Sequence, residues 1–170
     1  MKIIVTKRAV GAKSDQLQLI RDDGSVSEID MPRQGILPHD LLHFVVESGF
    51  ALPGGFLSIV ANGIEPGFAM VQSHAPSMTH KRQAGIAEAM VEAMQTQLWS
   101  GQFDHAAFEY ALQMATEARS IAVPECPAEM QCRGVFQQAL ELTQAWLNLS
   151  EAQYLEFDFH LHGTTAESEQ

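Results

Sequence analysis

The chain has 170 residues, 46% of them hydrophobic and 18% charged, the balance of a globular chain long enough to bury a substantial core. With 21 acids against 10 bases its formal net charge is -11, a surface that repels phosphate backbones and anionic headgroups, so neither nucleic acid nor a membrane is expected as a partner. No apolar run reaches transmembrane length, the run after Met1 is too short for a signal peptide, and Cys126 and Cys132 match no common zinc or redox spacing; the expectation is a cytoplasmic protein with two reduced thiols.

Residues 2–9 are rich in β-branched side chains and predict a first strand. Leu17 and Leu19 alternate with Gln16 and Gln18, which predicts a second strand with one wet face. Asp22-Asp23-Gly24-Ser25 is a turn signal, and Val26 with Ile29 suggests a third, short strand; the three together read as an antiparallel meander.

The stretch Leu37 to Glu47 predicts a helix, with Pro38 suited to its first position and Gly49 to the residue past its end. At 100° per residue Leu41, Leu42, Phe44, Val45 and Val46 form one broad apolar face, and His39, Asp40, His43 and Glu47 fall together opposite it. Leu52-Pro53-Gly54-Gly55 breaks the chain. Phe56 to Ile64 reads as a helix ending near Asn62-Gly63, and Glu65 to Ser77, with two prolines, as a loop.

Three longer helices are expected after that. The first runs from about Lys81 to Trp99, with Ile86, Met90, Ala93, Met94 and Leu98 on one side. The second is capped by Asp104, with Phe103 and Phe108 placed as a hydrophobic staple. The third starts after Pro127 and carries Cys132, Val135, Phe136, Ala139, Leu140, Thr143, Trp146 and Leu147 as its stripe. From Tyr154 to His162 the period changes to two: Leu155, Phe157, Phe159 and Leu161 alternate with polar residues, a strand expected to return to the N-terminal sheet. The predicted fold is α+β, one domain over residues 1–163: a small antiparallel sheet from both ends of the chain against four or five helices, with 164–170 as a polar tail.

Chemistry concentrates on the helix at 37–47. His39 and His43 are one turn apart, the spacing by which a helix offers two imidazoles to one metal ion. Glu47 is a poor third ligand, because eight residues of helix from His39 is a rise of roughly 12 Å, so further ligands have to come from elsewhere in the chain. Seven histidines supply on the order of 0.3 such spaced pairs by chance, and a polar face is also what any surface helix shows, so a merely solvated face is the competing reading. His39, nearer the Leu42 and Val46 edge, is expected to be the more buried of the two. His160 and His162 share one side of the last predicted strand, a second metal-ligand spacing. His74 and His80 flank the loop before the long helix and could cover the site; His105 is expected to be exposed in the first turn of its helix. Pro53-Gly54-Gly55-Phe56 lacks the Lys and Ser/Thr of a phosphate loop, and no nucleophile elbow is present.

His39-Asp40-Leu41-Leu42-His43 resembles the zincin motif with Asp in place of Glu; the resemblance implies two zinc-binding histidines and an acid that activates water, although Asp is one methylene shorter and no Gly-x-x-His follows. His39-Asp40 is also similar to the paired His-Asp of metal-dependent phosphohydrolases, but that family needs an upstream histidine and none precedes His39. Residues 1–64 resemble a set of small uncharacterised bacterial proteins through Leu37 to Glu47 and Gly55-Phe56; this implies an N-terminal hairpin followed by the helix, and no activity.

Because nothing completes a catalytic set, the reading favoured by the sequence is a non-enzymatic interaction domain whose acidic surface meets a protein partner. The alternative is a metal-binding protein, a zinc-dependent hydrolase in its sharpest form, with His39, His43, His160 and His162 as ligands and Asp40 or Glu47 as base.

Overall fold

A computed structural model describes residues 1–67 and 78–161 of the chain. Three N-terminal strands, β1 (Lys2–Thr6), β2 (Ser14–Ile20) and β3 (Val26–Pro32), are followed by helices α1 (His39–Gly49), α2 (Phe56–Ala61), α3 (Met78–Ser100), α4 (His105–Ala118) and α5 (Glu129–Leu147), and then by β4 (Tyr154–Asp158). The fold is α+β, and the sheet is antiparallel throughout in the order β3-β2-β1-β4.

Period-two patterning sets the sheet's two faces. Ile3, Val5, Leu17, Leu19 and Met31 point inward and are buried under the helices. The outer face carries polar side chains joined across strands, Lys2 to Glu156, Gln16 and Gln18 to Glu28, and Arg8 to Asp30. Gly24 makes the β2–β3 turn at φ +85°, a conformation that favours glycine, and the Asp23 carboxylate accepts from the Ser25 N–H and hydroxyl beside it. β1 ends at Thr6 rather than running to residue 9, because the Lys7 N–H and carbonyl then bond to Gln153 and Ala152 instead of continuing the ladder to β2.

β4 closes the sheet against β1, with Ile3 opposite Phe157 and Val5 opposite Leu155. Leu155 and Phe157 are half-buried, Phe157 against Phe44 of α1, and Phe159 is fully buried. Leu161 departs from the expected alternation: β4 ends at Asp158, and beyond it Leu161 is exposed. The Met1 ammonium donates to the Phe159 carbonyl and fastens this end.

The helices follow the apolar stripes. Asp104 caps α4, its side chain accepting from the Ala107 N–H at 2.8 Å, and Phe103 meets Phe108 with ring centroids 6.2 Å apart. Phe136 and Trp146 of α5 are buried, the latter under the Lys7 ammonium. The long helix begins at Met78, three residues before the expected start; most of the segment expected as the Glu65–Ser77 loop, including His74, lies outside the described residues. α1 packs against α2, α3 and α5, so one helix sits at the centre of the helical layer. No helix among the described residues is long and apolar enough to cross a membrane.

Truncation after Ser150 removes β4 and Phe159 and leaves the β1 edge and Phe44 uncovered. The shortened chain is expected to lose cooperative thermal unfolding by circular dichroism; a sharp transition at the parent temperature would show that β4 is dispensable.

Candidate metal centre

The polar face of α1 is not solvated. His43 and Glu47 are both buried, at 2% and 0% exposure, while His39 is the half-exposed member of the pair, the reverse of the order expected from the helix alone. The reason is tertiary: α2 and α3 pack over the C-terminal part of that face, and His39 at the first position of α1 stays at the rim.

Glu47 explains how a carboxylate is tolerated there. Its Oε1 accepts from His43 Nδ1 and from the Leu57 N–H, each at 3.0 Å, and its Oε2 from the Ser58 N–H at 3.1 Å and the Ser58 hydroxyl at 3.3 Å. Those four donors use the lone-pair sites of an ionised carboxylate. The two backbone donors are the otherwise unpaired N–H groups in the first turn of α2, where a negative charge also meets the positive end of the helix dipole. The opposite end of α2 is held by the buried Arg21 guanidinium, which donates to the Val60 and Ile64 carbonyls at 2.7 and 3.1 Å. A six-residue helix is too short to persist alone, and this one is fastened at both ends by charge.

Pro53-Gly54-Gly55 is the hinge that lets this happen. A Cβ on Gly55 would lie 2.2 Å from Glu47 Cδ, and one on Gly54 would lie 2.5 Å from Gln83 Cβ of α3. The two glycines are therefore needed for close approach to α1 on one side and α3 on the other, not for a phosphate.

That approach brings in a residue the sequence reading missed. Glu88 of α3 reaches the histidine pair, with Oε1 3.4 Å from His43 Nε2 and Oε2 3.8 Å from His39 Nε2. The two Nε2 atoms lie 3.2 Å apart, their rings edge to face. A tetrahedral ion with ligands about 2.0–2.1 Å away has ligand–ligand edges of about 3.3 Å, near the separation of the two Nε2 atoms and that of His43 Nε2 from Glu88 Oε1, while His39 Nε2 is nearer the other oxygen of the same carboxylate and stands further off. His43 is oriented for this by Glu47, which takes the Nδ1 proton and leaves Nε2 turned to the common point, the carboxylate–histidine arrangement found behind metal ligands. Among the described residues two groups could hold an ion, His39 with His43 and Glu88, and His105 with Cys126 and Cys132.

The charges are strongly coupled. Burial alone would lower the His43 pKa, but the carboxylates of Glu47 and Glu88 outweigh it and raise it from 6.5 to about 10. Burial opposes ionisation of Glu88, yet its bonds to His39 and His43 hold the carboxyl well below the usual carboxylate range. Asp40, half-buried beside the pair, is pushed the other way: desolvation raises its carboxyl against the pull of both imidazoles.

Of the residues singled out in the sequence, His39 and His43 are brought together. Glu47 stands behind His43, each of its carboxylate oxygens in two hydrogen bonds. His160 lies past the end of β4, exposed, and belongs to neither ligand group; His162 lies outside the described residues. His80 sits in the first turn of α3 and is exposed. Glu88 had one legible signal: it shares a stripe of α3 with Ala84, Val91 and Gln95, spaced 3 or 4 apart, so a carboxylate stands in a core-facing row. Compared with known proteins, the chain matches no family model, no curated protein and no solved structure.

Gly55→Ala is expected to cost about 1–3 kcal/mol in urea unfolding, through displacement of Glu47 from the α2 N-terminus; an unchanged midpoint would place α2 further from α1. Chelator-treated protein should also show a pH signature. His43 has a folded pKa above its unfolded value, so its contribution is complete below pH 6.5 and is lost as pH rises through about 10. Relative to His43→Gln, the parent should lose up to about 1.4 kcal/mol per pH unit across that window; parallel stability–pH curves would show an unshifted imidazole.

Proposed function

We propose that the chain is a zinc-binding protein whose centre is His39 Nε2, His43 Nε2 and the Glu88 carboxylate. The observation that carries this reading is the convergence of those groups at 3.2–3.8 Å, with Glu47 hydrogen-bonded to His43 Nδ1 from behind. Zinc fits the donor set of two imidazoles and one carboxylate. Three protein ligands leave a fourth position open, the pattern of a hydrolytic rather than a purely structural centre, where the ion lowers the pKa of a bound water to about 7. Asp40, which follows His39 directly and lies half-buried beside the pair, is the residue offered as proton acceptor. His39, at the half-exposed rim, is where a substrate would enter. The two free thiols fit a reducing compartment, so the reading places the protein in the cytoplasm.

The test uses tag-free protein carrying Cys126→Ser and Cys132→Ser, stripped with chelator and titrated with zinc by calorimetry. One equivalent should bind, and at a hundredfold excess over Kd it should add about 2.7 kcal/mol of stability. Adding His39→Ala and His43→Ala, or Glu88→Gln, should abolish that uptake, and Asp40→Asn should leave it intact. If no zinc binds, the favoured reading becomes a non-enzymatic domain that meets a protein partner, with the exposed Tyr110 and Met114, one turn apart on α4, as its apolar contact.

A further inference from the structure

A second group of ligands lies where α4, α5 and the segment between them meet. His105 is the first residue of α4, Cys132 lies in the first turn of α5, and Cys126 lies on the connecting segment. One ligand atom from each falls within 4.8 Å of the other two. His105 Nε2 lies 3.7 Å from Cys126 Sγ and donates to the Pro127 carbonyl at 3.0 Å, and Cys132 Sγ donates to the same carbonyl at 3.4 Å. Both cysteines are free, Cys132 fully buried and Cys126 and His105 half-buried. The ring that sequence reading left exposed in a first turn is therefore turned inward, toward two thiols.

We infer that His105, Cys126 and Cys132 form a second metal site, which takes a thiophilic d¹⁰ cation, zinc(II), in a structural role. Zinc–sulfur and zinc–nitrogen distances of about 2.3 and 2.0–2.1 Å give tetrahedral S–N edges of about 3.6 Å, near the separation of His105 from Cys126. Two sulfurs and one imidazole select zinc over magnesium or calcium, which need oxygen ligands. Binding is balanced by proton loss: each thiol gives up its proton as its sulfur bonds to the ion, and the imidazole proton moves from Nε2 to Nδ1. Two thiolates, a neutral ring and a divalent ion then sum to zero charge. The Pro127 carbonyl, released by both of its present donors, fills the fourth position and closes the site, as a structural centre requires. The site has mechanical sense, because α4 and α5 share little packing surface of their own, and an ion at their adjacent N-terminal ends ties them together.

Cobalt(II) separates this site from the first, since only thiolates give sulfur-to-cobalt charge transfer in the near ultraviolet. The full chain, tag-free, reduced and stripped of metal, is titrated with cobalt in the His39→Ala/His43→Ala background. The expected result is a charge-transfer band with tetrahedral visible bands, saturating at one equivalent and displaced by zinc. Cys126→Ser, at a half-buried position, should halve the band, and His105→Ala should weaken affinity by more than about tenfold while keeping both sulfur bonds. Absence of the band in fully reduced, folded protein overturns the proposal, whether or not the thiols form a disulfide in air. Equal affinity in His105→Ala overturns the three-ligand assignment.

Discussion

The structure depends on one buried carboxylate. An ionised group at 0% exposure costs several kcal/mol of desolvation unless donors replace its water. Glu47 meets that condition only because α2 begins where it does, with the Leu57 and Ser58 N–H groups aimed at it and Ser58 adding a hydroxyl. The dependence runs both ways. Without Glu47 the first turn of α2 has unpaired donors in the interior; without α2 the carboxylate has only His43. Glycine at 54 and 55 is a condition of the same contact, since any side chain there would separate the elements. Arg21 completes the balance at the other end of α2, so a short helix of modest intrinsic stability becomes the clamp between the sheet and α1.

Once Glu47 is fixed, the charge state of its neighbours follows. Glu47 and Glu88 together bring two negative charges to His43, and one proton on the imidazole compensates only one of them. The raised His43 and lowered Glu88 pKa values express the same attraction from its two sides. A divalent cation at the Nε2 atoms would replace that proton and neutralise both carboxylates, with His43 still donating Nδ1–H to Glu47.

Elements whose sequence pattern is local were legible in the sequence. The Asp104 cap, the Phe103–Phe108 staple, the buried Phe136 and Trp146, and the return of β4 to the sheet each follow from spacing within a few residues. The α1 face was misread for the opposite reason. Periodicity shows that His39, Asp40, His43 and Glu47 share a side, but not that a glycine-rich hinge folds α2 back over it. The rise along α1 correctly argued that a third ligand must come from elsewhere, yet 45 residues separate His43 from Glu88. Its one local trace was an acid in a row of small core residues. Leu161 failed because alternation continues in the sequence beyond the point where the ladder stops.

The two ligand groups share a construction. In each, a helix supplies a ligand from its first turn, His39 from α1 and His105 from α4, and at least one further ligand comes from a different helix, Glu88 from α3 and Cys132 from α5. The most buried member is His43 in one group and Cys132 in the other. On the proposed reading, an ion in either group would join elements that are distant in sequence. This is also why spacing rules found two of the three members of the first group and none of the second: Cys126 and Cys132 make sense as ligands only after α4 and α5 have brought their N-terminal ends together.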